Sequence, residues 1–471
     1  MKNSFLGIAA ISAFAVAANA QAFNWVLEAP ATSPSARERT ATATDGTLYY
    51  LFGGQNGTVT AGFDELWSYD GTSWLQLSTS GSGPGPRSGA IAGFDVARGK
   101  LVLFGGKLGF GATDPLLNDT WEWDAVGGWA QVFPTTAPDR RWLVNNGVYV
   151  PGLGVMFHGG TAWDATGATY RSSETWLYTG SDWVLFSSGG PAVQDPMMVY
   201  RSTQNDLILH GGQTPTGAAG ALQQLGQTWR LDFMTGVWTQ IVTATTPVNS
   251  LVAGQGLFAA LSYYNPTTGM TIVHGGNGGN SSTSTWQFDG TDWQNISTNG
   301  VGARNGGMHW INALGKAVYG PCSEVNSARN RTRSHGPTVT AAVSSYGAGC
   351  SGQAGTTLVL AANGNPWTAA TWSGTCTGMS ATAPIKLAIW GSATSSLPVT
   401  GLFGAGPGCT LLNTADLVDV AFSVSTSHTI SFAIPATPTL AGLVLNAQVA
   451  ELDFSLLGFA LSNGLSLTIG G

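Results

Sequence analysis

An apolar run closed by a Gly-Gly pair recurs along this chain, with pairs beginning at Gly53, Gly105, Gly159, Gly211 and Gly275. A variable loop follows each pair and leads to a tryptophan: Trp67, Trp121, Trp176, Trp229 and Trp286. Seven to nine residues later stands a second one: Trp74, Trp129, Trp183, Trp238 and Trp293. Stretches such as Asp70-Gly71-Thr72-Ser73 and Asp289-Gly290-Thr291-Asp292 lie between the two tryptophans and suit tight hairpins. Successive pairs are about 52 residues apart, widening to about 64 before Gly275. A repeat of that length marks an array of similar supersecondary units, none able to bury its apolar face alone. Each unit reads as four short strands: an apolar strand, a strand ending in Gly-Gly, a Trp strand, and a second Trp strand across a hairpin.

An apolar run closed by Gly-Gly and followed by a spaced aromatic pair resembles the kelch family. The resemblance spans residues 23–336. It implies four-stranded blades of a β-propeller, and it implies no activity, because one fold hosts many. The ends set the blade count. Asn24-Trp25-Val26-Leu27-Glu28 matches the fourth strand of a unit, as in Ser73-Trp74-Leu75-Gln76-Leu77, but has no three strands before it. Gly307 to Gly320 supplies two strands, with Tyr319-Gly320-Pro321 as a decayed Gly-Gly, and Asn330 to His335 supplies a third. Joining these pieces predicts an all-β, six-bladed propeller closed by the N-terminal strand, leaving no open edge.

The chain opens on a basic start, an apolar run from Phe5 to Ala18 and small residues at Ala18-Asn19-Ala20-Gln21-Ala22. That pattern predicts a signal peptide over residues 1–22 and an exported or surface-associated product. No later stretch is apolar for the length of a membrane-spanning helix. Charged residues make up 9% of the chain and the formal net charge is −7, which argues against nucleic acid as a partner. A monomer is expected.

Beyond Pro337 the composition shifts, with Lys386 the only basic residue. Alternating runs at Lys386–Trp390, Val418–Val424, Thr429–Ile434 and Leu443–Val449 predict a β-sandwich over residues 337–471, with turns at Gly406-Pro407-Gly408 and Pro435–Pro438. Tyr346-Gly347-Ala348-Gly349-Cys350, Gly406-Pro407-Gly408-Cys409-Thr410-Leu411 and Leu461-Ser462-Asn463-Gly464-Leu465 resemble a tail domain of exported planctomycete proteins. All four cysteines, Cys322, Cys350, Cys376 and Cys409, lie in the last third. Even parity in an exported chain predicts two disulfides, with three pairings open.

His158, His210 and His274 each precede a Gly-Gly pair, where other units carry Phe52 and Phe104. Equivalent positions on neighbouring blades lie on the order of 10 Å apart, too far to share one zinc ion. These histidines are expected as packing rings, with no metal and no cofactor. Binding candidates lie instead in the loops after Gly-Gly, which offer Phe63, Phe110, Trp163 and Tyr170 for stacking on sugar rings. The connections between units carry Arg37, Arg87, Arg140 and Arg304. Guanidinium groups at one mouth either bind a carboxylate or tie neighbouring loops through backbone carbonyls. Glu65, Asp119 and Glu174, just before third-strand tryptophans, suit loop hydrogen bonds.

No nucleophile elbow, zinc-protease helix or phosphate loop occurs. Copper oxidases on kelch propellers use a tyrosine crosslinked to cysteine, and no cysteine precedes Cys322. The expected function is therefore binding or adhesion: an exported propeller recognising a glycan or protein through one loop face, without catalysis. The alternatives are a secreted carbohydrate-active enzyme, or an acidic-sugar site resembling that of the kelch sialic-acid epimerases.

Overall fold

A computed structural model describes residues 23–56, 62–109, 114–142, 147–216, 221–248, 256–276, 282–297, 300–325, 327–337, 342–351, 356–366, 371–399, 409–434, 443–453 and 458–469. The expected leader at 1–22, Phe110 and the turns at 406–408 and 435–438 lie outside them. Among the described residues every regular element is a strand. The chain divides into two units, Trp25–Gly336 and one holding Pro337–Gly471.

The first unit has a propeller-like build of four-stranded antiparallel sheets. The first sheet, from innermost to outermost strand, is Ala41–Thr44, Tyr49–Phe52, Leu66–Tyr69 and Trp74–Ser78. The second is Ile91–Asp95, Lys100–Lys107, Leu116–Asp124 and Gly128–Val132, and the third Val148–Val150, Gly154–His158, Thr175–Tyr178 and Trp183–Ser187. The fourth is Met197–Arg201, Asp206–His210, Thr228–Asp232 and Val237–Ile241, and the fifth Leu261–Asn265, Met270–His274, Thr285–Phe288 and Trp293–Ser297. The sixth is Met308–Ile311, Lys316–Tyr319, Thr332–Pro337 and then Phe23–Glu28, so its outermost strand comes from the other end of the chain.

Apolar side chains on both faces of these short strands drive sheet against sheet. Tyr50 and Phe52 pack with Phe94 and Trp123 between the first and second sheets. Comparable clusters join second to third, third to fourth, fourth to fifth and fifth to sixth. Tyr49 and Trp74 pack with Ile311 and Val318, joining the first sheet to the sixth. Fully burying one such aromatic or aliphatic side chain is worth about 1.5–3 kcal/mol.

The fourth-strand tryptophans add a polar tether. Trp183 Nε1 donates to Thr120 Oγ1 (3.0 Å), Trp238 to Thr175 (2.8 Å) and Trp293 to Thr228 (2.8 Å), each reaching the third strand of the preceding sheet. Trp25 makes the same bond to Thr285 (3.2 Å), and Trp74 reaches Thr332 of the sixth sheet (2.8 Å). Trp129 instead finds Ser78 (3.2 Å), because the first unit has Leu66 where the others have threonine.

In the second unit a six-stranded sheet contains Ala342–Tyr346, Ile385–Gly391, Leu417–Phe422 and Val444–Asp453, the last three close to runs read from sequence. It shares one core with a three-stranded sheet of Val359–Ala362, Thr371–Thr377 and Ser427–Ala433. The cysteine expectation needs correction. Cys350 and Cys409 are bonded, with Cα atoms 5.0 Å apart, but Cys322 and Cys376 are free and buried. Cys322 packs among Met308, Ala317 and Tyr319 in the first unit, and Cys376 in the tail core with Trp372 and Ile430. Each acts there as a small apolar side chain.

Candidate functional site

In each sheet the innermost strand starts at the end where the Gly-Gly loops and inter-sheet connections lie. It finishes in a hairpin at the other end. The assembly therefore has a loop face and a hairpin face, and the two differ in chemistry.

On the loop face both glycines of each pair have positive φ, 66° and 97° at Gly53 and Gly54. A Cβ at Gly53 would lie 2.7 Å from the Arg87 carbonyl, so the turn and the close approach both demand glycine. Gly54 N donates to that carbonyl at 2.9 Å, and Gly160, Gly212 and Gly276 make the matching bonds to Val193, Leu257 and Ala303.

Arg37 and Arg87 sit in this bracket. Arg37 Nη1 donates to the Gly53 carbonyl (3.1 Å) and pairs with Glu65 (3.1 Å), while its Nε reaches the Ser35 carbonyl (3.1 Å). Arg87 does the same with Gly105 (3.0 Å), Asp119 (2.7 Å) and Gly85 (3.1 Å). The third member is Arg141 rather than Arg140, bonding Gly159 (3.1 Å), Glu174 (2.9 Å) and Asp139 (3.1 Å). Arg140 is exposed, on a small sheet opposite Trp163. Arg304 falls one position past the bracket, where Ala303 stands, and is half-buried.

These arginines tie loops through backbone carbonyls, and their carboxylate partners are the acids that precede the third-strand tryptophans. Phe63 lies under the Arg37 guanidinium, 3.9 Å from ring centre to Cζ, and Tyr170 donates its hydroxyl to Asp139 (2.8 Å). The structure thus brings together Arg37 with Phe63 and Arg140 with Trp163, but not the four arginines around one ligand.

The connections also meet one another. Arg39, Asp195, Ala259 and Asn305 all have positive φ just before their innermost strands. Their backbones bond in series: Arg39 N to Asn305 O (2.6 Å), Gly89 N to Arg39 O (2.8 Å), Ala259 N to Asp195 O (3.0 Å) and Asn305 N to Ala259 O (3.0 Å). This narrows the loop-face mouth.

On the hairpin face a cavity of about 390 Å³ is lined by the innermost strands and hairpins of all six sheets. Its walls carry Phe94, Tyr149, Tyr200, Tyr264 and Trp310, with Ser262 and Asn312 among the polar groups. Tyr149, Tyr200 and Trp310 are half-buried and present ring surface. Trp310 is stacked on Tyr263, centroids 5.9 Å apart and planes 15° apart, which fixes its orientation.

Asp45 is the one carboxylate among the described lining residues. Its oxygens already accept bonds from the Thr47 and Leu48 amides (both 2.7 Å) and the Tyr50 hydroxyl (2.9 Å). His309, also in the wall, contacts Thr42 Oγ1 through Nε2 (2.9 Å), and burial pushes it down to about 4, so it is neutral at pH 7. None of the seven described sequence candidates lines this cavity. The signal for it was the aromatic content of first strands such as Tyr263-Tyr264 and His309-Trp310, which equally suits a core.

The three histidines before Gly-Gly are buried between sheets, His158 against Trp238, His210 against Trp293 and His274 against Trp25. Trp238 Nε1 donates to Thr175 Oγ1 (2.8 Å), which is 2.9 Å from His158 Nδ1, while His158 Nε2 lies 2.9 Å from the Pro191 carbonyl. The carbonyl requires Nε2 to hold the proton, so Nδ1 accepts from threonine. Burial lowers His158 and His274 to about 4 and His210 to about 3. Among the described residues no His, Cys, Asp and Glu cluster could hold a metal ion.

No protein-family model matches the chain, and no curated protein does. Among solved structures, that of YjhT aligns over 65% of this chain and 95% of its own, with TM-score 0.49 and 15% identity. A fungal alcohol oxidase of the AA5 family, determined with copper, aligns over 90% of this chain and 85% of its own, with TM-score 0.39 and 13% identity. Neither likeness carries a site residue over to this chain.

Proposed function

We propose that the chain is an exported six-bladed kelch-type propeller, closed by its N-terminal strand, that binds a neutral glycan in the hairpin-face cavity without transforming it. Closure is supported by the apolar cluster and the Trp74–Thr332 bond joining first and sixth sheets. The binding reading rests on one observation, the aromatic wall of the 390 Å³ cavity. Ring faces with a few hydroxyl and amide groups suit a ligand that is apolar on its faces and polar at its edges. Hydrolysis by paired carboxylates needs two such groups flanking the bond, and among the described lining residues the wall offers Asp45 alone, already committed to three donors.

Titration calorimetry of the mature chain against neutral oligosaccharides tests this, with product analysis of the same mixtures. Trp310→Ala and Tyr200→Ala are expected to weaken binding at least tenfold. Binding that survives both substitutions, or the appearance of products, would sink the reading.

A further inference from the structure

The six-stranded sheet of the second unit ends in two unequal edges, Ala342–Tyr346 and Leu417–Phe422. The first exposes Ser344 and Ser345, and the edge of the facing sheet, Ser427–Ala433, exposes Ser427, Thr429 and Ser431. Leu417–Phe422 instead exposes Leu417, Val418, Val420 and Phe422. It carries neither lysine nor proline, the residues that usually blunt an open edge.

The backbone there is as open as the side chains. Among the described residues this strand pairs only with Ile385–Gly391, and Val418, Val420 and Phe422 stand opposite Ile389, Leu387 and Ile385. Ser423 N donates to the Pro384 carbonyl at 2.9 Å. Alternation along an antiparallel pair then turns the N–H and C=O of Leu417, Asp419 and Ala421 toward the neighbouring strand. Those of Val418, Val420 and Phe422 point to the open side, beside the apolar side chains of the same residues.

A second copy of the strand satisfies both. An antiparallel partner related by a two-fold axis through the sheet sets residues of one face opposite each other, so the axis passes through a residue position. Two registers pair five residues of each strand, one centred on Asp419 and one on Val420. Centring on Asp419 places like charges directly opposite and leaves Phe422 without a counterpart. Centring on Val420 sets Val418 against Phe422 twice and Asp419 against Ala421, and the open-side donors and acceptors bond reciprocally. With 64% of Leu417, 44% of Val418, 49% of Val420 and 79% of Phe422 exposed, each chain offers on the order of 500 Å² here. Two copies bring together about 1,000 Å², the least that a specific interface needs, which fits a reversible dimer. We infer that the chain forms a two-fold dimer, in place of the monomer expected from sequence, with Leu417–Phe422 of two copies paired antiparallel about Val420.

Sedimentation velocity of the mature chain at pH 7.5, from about 1 to 100 µM, tests this. A concentration-dependent shift from monomer to dimer is expected. Val420→Lys should weaken association at least tenfold, whereas Ser344→Lys on the opposite edge should leave it unchanged. Val420→Cys reads the register and does not depend on how the lysine variant folds. Residues bonded across such a pair have Cα atoms about 5.5 Å apart, within disulfide reach, and the chain's own free cysteines are buried. Under mild oxidation Val420→Cys should give a disulfide-linked dimer at least tenfold faster than Val418→Cys, whose counterpart is Phe422. Association that survives Val420→Lys, an equal loss in Ser344→Lys, or equal crosslinking at the two cysteine positions overturns the inference. A chain that stays monomeric throughout overturns it too, and leaves the edge to a different protein or to a segment of this chain outside the described residues.

Discussion

The buried histidines make the first unit sensitive to mild acid, and His210→Phe isolates one of them. In the fold His210 is held down to about 3 by burial, while an unfolded histidine titrates near 6.5. Between those values the unfolded chain binds the extra proton, so stability is full above pH 6.5 and falls as pH drops. The slope is about 1.4 kcal/mol per pH unit, or roughly 2 kcal/mol at pH 5. His210 has one polar contact, Nδ1 to Thr228 Oγ1 at 3.0 Å, and its Nε2 has no partner among the described residues. Phenylalanine already fills the equivalent slot at Phe52 and Phe104, so the ring should fit and the loss at pH 7.5 should be about 1 kcal/mol. Guanidinium unfolding followed by tryptophan emission at pH 7.5, 6 and 5 reads both effects. The wild-type protein should lose about 2 kcal/mol more than the variant across that range. Parallel pH profiles would refute the assignment of His210 as a neutral ring buried between sheets. His158, His274, His309 and His335 are lowered in the same direction. Together the five cost on the order of 10 kcal/mol at pH 5, comparable with the whole stability of a domain, so acid unfolding is expected near that pH.

Arg141→Ala should cost about 2–4 kcal/mol in denaturant unfolding, because it strands Glu174 and the Gly159 carbonyl, whereas Arg140→Ala should stay within about 0.5 kcal/mol. Equal effects would show that the bracket has been assigned to the wrong arginine. Replacing Cys350 and Cys409 together by serine opens a cross-link between residues 59 apart and should destabilise the tail unit by about 4 kcal/mol, read as a lower midpoint for that unit's transition.

The six-sheet pattern was legible because its markers have backbone causes. Gly53 and Gly54 must take positive φ beside the Arg87 carbonyl, and the second tryptophan of each unit must cross to the neighbouring sheet. Neither requirement tolerates much substitution, so both recur in the letters of the chain. Trp25 was readable for the same reason, since it repeats the place of Trp74 and Trp293. The cysteines had no such register. Cys322 and Cys376 are ordinary apolar fillers of two different cores, and parity alone could not separate them from the bonded pair.

The arginines show where counting along the chain fails and where the repeat itself holds the answer. Loops of uneven length made Arg140 and Arg304 look equivalent to Arg37 and Arg87. The acids two residues before the third-strand tryptophan discriminate better. Glu65, Asp119 and Glu174 occur in the three units that own a bracket arginine, whereas Gln227 and Ser284 hold that place in the units whose bracket residues are Val193 and Leu257. A charge that appears only with its partner marks scaffold. At the loop-face mouth the opposite holds: Arg39 stands where other units have Gly89, Asp195, Ala259 or Asn305, and Lys107 where they have Gln55, Thr161 or Gln213. A cation that one unit alone places at a shared position is not balanced by the repeat: Lys107 is met by Asp114 of its own loop, and Arg39 leaves its Nη1 without a hydrogen-bond partner among the described residues. That mismatch, readable only once the units are aligned in space, is what separates Arg39 at the mouth from Arg37 in the paired bracket two residues away.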